Sequence, residues 1–164
     1  MNKFTAALKR LSDSGVNFVL IGGYAARLHG SAYVTQDLDI CYERSVSNFR
    51  SLSVALAPLH PRLRGAPDNI PFVLDEKTLS QGMNFTLETD LVDLDLIGEV
   101  SGIGQFPQIV DTAVSIELGG INYKVASLEA LIRSKRAAGR PKDLNLLPEL
   151  EAIEELAKIR DKKD

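Results

Sequence analysis

The 164-residue chain is 45 % hydrophobic and 25 % charged, an ordinary globular composition with enough apolar mass for a real core. A net charge of −3 excludes a global basic field for nucleic acid, and a single cysteine, Cys41, excludes an internal disulfide and suits a reducing compartment. The opening MNKFTAALKRL has no signal-peptide core and no run reaches the ~18 apolar residues of a membrane span, so a cytoplasmic, soluble, one-domain protein is expected.

Phe4, Ala7, Leu8 and Leu11 recur at helical spacing, and Gly15 stops that helix. NFVLIGG is a continuous apolar run ending in glycines, the pattern of a central buried strand. YAARLHG supplies about two helical turns, closed by Gly30. In DLDICYE the residues alternate, with Asp37, Asp39 and Cys41 on one side and Leu38, Ile40 and Tyr42 on the other. Cys41 reads as a small, half-buried side chain. SNFRSLSVALAPL is predicted helical with Ser47 as its cap.

HPRLRGAPDNIP carries three prolines and a glycine and reads as a flexible loop. PFVL is a brief strand and DEKTLSQG a short helix or turn. MNFTLETD and LVDLDLIGE are two strands joined tightly around residues 89–91. QFPQIVDTA is a short helix, and VSIELGGINYKV is a hairpin turning on Gly119-Gly120. SLEALIRSKRAAG is a helix capped by Ser127 and closed by Gly139. DLNLLPELEAIEELAKIRDKK is a further helix, broken or kinked at Pro148. The expected fold is an α/β sandwich over residues 1–164: a short mixed sheet flanked by helices in residues 15–126, then C-terminal helices in residues 127–160.

Residues i and i+2 of a strand share a face, so Asp37 points with Asp39 and Asp93 with Asp95. Carboxylates packed among aliphatic neighbours raise one another's pKa unless a cation lies between them. A divalent ion such as Mg2+ or Mn2+ suits such hard oxygen ligands, and two ions can clamp both oxygens of a phosphoryl displacement. Solvated outer positions of an antiparallel sheet are the plain alternative. Gly22-Gly23 falls between a strand and a helix, where the backbone can approach a phosphate; a tight turn without a ligand is again the alternative. RSKRAAGRPK adds Arg133, Lys135, Arg136, Arg140 and Lys142 within ten residues, either a solvated helix face or a local anion contact. His29 reads as packed or locally bonded, and Arg27 and Tyr24 as residues of the pocket mouth.

The string GGYAARLHGSAYVTQDLDI, followed by a strand with another acid, resembles the DNA polymerase β-like nucleotidyltransferase superfamily. With DLDLIGEVSGIG and SLEALIRSKRAAGRPKDLNLLPEL it is similar to the AbiEii-like branch, which includes toxins of toxin–antitoxin systems. The resemblance implies metal-dependent transfer of a nucleoside monophosphate from a nucleoside triphosphate, ATP among them, to an acceptor hydroxyl. It implies that Gly22 and Gly23 cradle phosphates, that Asp37 and Asp39 bind two Mg2+ or Mn2+ ions, and that Asp95 is the third ligand and a proton acceptor, with Asp93 in reserve. Lys135 and Lys142 would neutralise departing pyrophosphate; Arg140 and Asp143 belong to the same nucleotide-binding segment, Asp143 being equally suited to cap the next helix. Members often carry a basic residue just before the threonine of the T-x-D-L-D stretch, where this chain has Tyr33-Val34. The implied partners are RNA (a transfer RNA among them) or protein as acceptor, and a cognate antitoxin. The alternative is an inactive nucleotide-binding or regulatory module of the same fold.

Overall fold

The computed structural model describes residues 1–163. In chain order, α1 (Lys3–Asp13) leads to β1 (Phe18–Ile21), α2 (Gly22–Leu28), β2 (Asp37–Tyr42) and α3 (Val46–Leu56). A short strand β3 (Arg62–Leu63) follows, then α4 (Glu76–Gln81), β4 (Asn84–Glu88) and β5 (Asp93–Ile97). The ribbon of β6 (Glu99–Val100) and β7 (Gly104–Gln105) precedes α5 (Phe106–Val110) and the hairpin of β8 (Val114–Leu118) and β9 (Ile121–Val125). The chain closes with α6 (Leu128–Ala138) and α7 (Pro141–Lys163).

One mixed sheet orders seven strands as β3-β4-β5-β2-β1-β9-β8. Every residue of β1 is buried, as its unbroken apolar run requires of a strand covered on both faces. β1 runs antiparallel to β2, and β2 runs parallel to β5 with Asp37 opposite Asp93 and Asp39 opposite Asp95. β2 and β5 carry Leu38, Ile40, Leu94 and Leu96 into the core on one face and turn their aspartates to the other. Helix α1 contributes Phe4, Ala7, Leu8 and Leu11 to the same core, one buried stripe at helical spacing. The β8–β9 turn has φ of +60° at Gly119 and +82° at Gly120, the two positive angles that the glycine pair was expected to supply.

Several local expectations are corrected. Ser45, not Ser47, caps α3, because its side chain accepts from the Asn48 amide one turn ahead. Residues 60–71 are not wholly loop: Arg62 and Leu63 pair with Glu88 and Leu87 at the sheet edge, while residues 71–74 form no strand. Cys41 is fully buried rather than half-buried, and burial pushes its thiol up to about 12, which makes it an inert packing group. Helix α7 runs through Pro148 without a break. No helix among the described residues is long and apolar enough to cross a membrane.

Leu94 is 1 % exposed beneath the acid-bearing face. Leu94→Ala is expected to cost about 2–5 kcal/mol of stability, read from urea unfolding, because a packed strand residue leaves a cavity its neighbours cannot fill.

Candidate active site

The sheet carries a transverse row on its polar face. Thr86 of β4 pairs with Asp95, and Asp95 with Asp39 of β2. One residue beyond β3, the Arg64 amide donates to the Thr86 carbonyl at 3.0 Å and so continues that row at the edge. Asp37 and Asp93 form the adjacent, more outward pair. The four acids thus share one face, and the parallel register brings Asp39 and Asp95 side by side.

Asp39 is the inner acid. Burial raises its pKa to about 7, helped by the hydrogen bond and charge of Asp95 and by the charge of Asp37, against the pull of Lys135. The glycine before it has a specific steric task. A Cβ on Gly22 would lie 2.1 Å from Asp39 Oδ2, and the residue holds φ at +71°, so a side chain is excluded twice over. At Gly23 a Cβ would meet Tyr33 at 2.8 Å and Thr35 at 3.0 Å. The glycine pair therefore makes room for the chain's own side chains, a use that its sequence position does not disclose.

Helices α6 and α7 bring cations over this face. Lys135 Nζ lies 3.1 Å from Asp143 Oδ1, and Arg140 Nε lies 2.6 Å from Asp143 Oδ2. Asp143 has no exposed side-chain surface. Burial alone would raise its pKa, but the hydrogen bonds from Arg140 and Lys135 outweigh it and hold the carboxyl below the usual range. Asp143 does not precede the helix as its N-cap: it is the third residue of α7, and from there its side chain accepts the Arg140 amide at 3.3 Å. It acts through Lys135 and Arg140. Of the other cations in the segment, Arg136 pairs with Glu151 and Arg133 donates to the Gly102 carbonyl.

Two adjoining cavities meet at the acids. A cleft of about 540 Å³ is lined by Gly22, Asp39, Asp95, Lys135 and Arg140 and continues past Asn84 and Thr86 to Glu99, Ser101 and Ser134. A polar niche of about 120 Å³ is lined by Gly23, Tyr33, Thr35, Asp37, Asp39, Asp95, Lys135, Arg140 and Lys142. Glu149 of α7 accepts from the Ser31 hydroxyl and from the Ala32 amide, which fastens the Tyr33–Thr35 wall. Gly22, Gly23, Asp37, Asp39, Asp95, Lys135, Arg140 and Lys142 are thus brought together, whereas Asp93 lines neither cavity. Tyr24 is buried against Phe4, and neither it nor Arg27 lines these cavities, contrary to expectation. The His29 ring bonds the Ala126 carbonyl at 2.7 Å, a long-range tie between α2 and the end of β9.

The residue that sequence reasoning missed is Arg64, whose guanidinium reaches three of the four acids: Asp95 Oδ1 at 2.9 Å, Asp37 Oδ2 at 3.6 Å and Asp93 Oδ2 at 3.7 Å. A signal was present in the Arg62-Leu63-Arg64 alternation, which is strand-like, but the flanking prolines and Gly65 masked it. Among the described residues no ready cage of three or more metal-binding side chains is formed, and Arg64 stands among the acids instead.

No protein-family model matches the chain, and no curated protein does. Solved structures do. TM1012 of Thermotoga maritima, described as a "putative nucleotidyltransferase", is 16 % identical, with a TM-score of 0.57 over 91 % of this chain and 94 % of that one. ANT(2″)-Ia in complex with adenylyl-2″-tobramycin is 17 % identical, with a TM-score of 0.52 over 96 % of this chain and 95 % of its own. The chain has the nucleotidyltransferase fold.

An acid whose folded pKa lies at about 7 rather than at its ordinary 3.8 favours the native state most when protonated. The cation-free protein therefore loses stability as pH rises across that interval. Asp39→Asn is expected to abolish this decline and to be more stable than the parent above pH about 7, read from urea midpoints in a chelator across the range.

Proposed function

We propose that this protein is a nucleotidyltransferase that moves a nucleoside monophosphate from a nucleoside triphosphate to an acceptor hydroxyl with the help of Mg2+ or Mn2+. The observation that carries this reading is the Asp39–Asp95 register pair, with Asp37 beside it and Lys135, Arg140 and Lys142 bordering the same niche. The donor chemistry fits the metal: Asp37, Asp39 and Asp95 offer carboxylate oxygens, and Asp39 is raised by burial and further by the charges of Asp95 and Asp37, a strain that a bound cation would relieve. Asp37, Asp39 and Asp95 would hold the ions. When bound, such ions supply Lewis-acid stabilisation of charge at the attacking and leaving oxygens.

The remaining work falls to the chain itself. Gly22, on the larger cleft, and Gly23, on the niche, would be the points at which phosphates approach the backbone. Lys135, Arg140 and Lys142 offset the triphosphate charge, and Asp143 holds Lys135 and Arg140 at that border. Asp95, which lines both cavities, would accept the proton of the attacking hydroxyl. That cleft, with the Asn84, Thr86 and Ser134 side chains on its walls, is the acceptor's side. The ANT(2″)-Ia complex holds an adenylylated small molecule, so a product of this kind fits the fold. RNA, including transfer RNA, and protein hydroxyls are the other acceptors in this reading. Carboxylates already pair Lys135, Arg136 and Arg140, which leaves the basic segment short as a polyanion surface. The AbiEii-like resemblance extends the reading to a toxin with a cognate antitoxin, for which growth arrest reversed by a neighbouring gene product is the assay. The presence of Arg64 among the acids favours the second reading, nucleotide binding without turnover.

Incubation with each labelled triphosphate, total RNA and lysate protein is expected to label one acceptor class and release pyrophosphate. Metal-stimulated nucleotide binding with no pyrophosphate would establish the second reading instead. Asp39→Ala is expected to abolish transfer while circular dichroism stays unchanged, and transfer at the parental rate would rule the site out. Asp95→Asn should lower the rate by at least about 100-fold, the loss of several kcal/mol of charge stabilisation, and Asp93→Asn by far less.

A further inference from the structure

Among the described residues, one buried side-chain polar atom has no hydrogen-bond partner: Nε of Arg64. Its neighbours explain why this is notable. Nη2 donates to Asp95 Oδ1 at 2.9 Å and to the Leu87 carbonyl at 2.7 Å. Nη1 stands 3.6 Å from Asp37 Oδ2, and Nε stands 3.7 Å from Asp93 Oδ2, both beyond hydrogen-bond length. A guanidinium is built to engage one carboxylate with two parallel donors. Here it is spread over three carboxylates, bonds only one, and leaves a buried donor idle.

Asp93 is the acid that the transfer chemistry does not use. Its side chain is 40 % exposed at the rim, against 20 % for Asp95, and it faces the idle Nε. The Arg64 backbone is fixed to Thr86, and its Nη2 is fixed to Leu87, so the side chain is tethered whichever acid it serves.

The geometry points to Arg64 as a tethered cation that holds Asp95 while no metal is bound and passes to Asp93 when a divalent ion takes Asp95. This rests on the nucleotidyltransferase reading and adds to it a pair of positioning residues, Arg64 and Asp93. In the metal-free protein the guanidinium relieves the repulsion among the acids. On loading, it releases Asp95 Oδ1, and a movement of under an ångström brings Nε and Asp93 from 3.7 Å to hydrogen-bond distance, giving the orphan donor its partner. Arg64 and the metal thus compete for Asp95, and Asp93 lowers the energy of the state in which the metal has won.

The test is Mn2+ binding to the nucleotide-free protein, followed by the electron paramagnetic resonance signal of free Mn2+, in a double-mutant cycle. Arg64→Gln is expected to bind Mn2+ about tenfold more tightly than the parent, since a unit charge beside the ligands is gone. Asp93→Asn is expected to bind more weakly, and that loss should vanish when combined with Arg64→Gln, because no guanidinium then needs a second partner. Arg64→Lys, which keeps the charge but loses the fork, should fall between the parent and Arg64→Gln, and it serves as a second variant if the latter folds poorly. As a second readout, Arg64→Gln should have a lower thermal midpoint in chelator and a larger rise on adding Mn2+ than the parent. Unchanged or weaker Mn2+ binding by the Arg64 variants would overturn the inference, as would an equal effect of Asp93→Asn in both backgrounds. Absence of Mn2+ binding in the parent and every variant would overturn the nucleotidyltransferase reading as well. Tight parental binding that is blind to Arg64 would overturn this inference alone.

Discussion

The parallel pairing of β2 with β5 is the constraint on which the rest of the site depends. It sets Asp39 opposite Asp95 and Asp37 opposite Asp93, while Leu38, Ile40, Leu94 and Leu96 fill the core behind them. A slip of one residue in either strand would reverse its faces, sending aspartates into the core and leucines to solvent. The apolar face therefore fixes the polar one. Burying those leucines stabilises the fold, and the same burial holds like charges at close quarters.

Such a concentration of acids persists only if other groups answer it. Arg64 reaches in from the sheet edge, and Lys135 approaches from α6. Gly22 answers it in a different way, by giving Asp39 the volume a Cβ would occupy. Asp143, wholly buried, gathers Lys135 and Arg140 and couples the C-terminal helices to the niche. Its two cations hold its carboxyl below the usual range against the upward push of burial. The charges of the face, its rim and its covering helices form one interdependent set.

The two glycines illustrate how a motif and its physical reason can separate. As a string they suggest a phosphate cradle, and that remains their proposed service to a ligand. In the folded chain their missing side chains are also demanded by Asp39, Tyr33 and Thr35. Tyr33 forms a wall of the niche. Cations come to that niche from the far end of the chain, through Arg140 and Lys142.

Much of this was legible along the chain because it depends on near neighbours. Helical spacing in α1, the cap Ser127, the Gly119-Gly120 turn and the two D-x-D strands follow from local periodicity and turn chemistry. Ser47 was the wrong cap because two serines two residues apart offer the same local signal, and only the Asn48 amide selects Ser45. Local pairings, β4 with β5 and β8 with β9, were legible, but distant ones were not: that β2 lies beside β5, and that β3 exists at all, depends on contacts between residues far apart in sequence. Arg64 shows this best: its meaning lies in Asp95, thirty-one positions away, reached across β4. The sequence by itself determined which residues could carry charge on a strand face and which segments form the longer helices. Tertiary structure alone decided which charges meet, because strand register is settled by the packing of the opposite, apolar face.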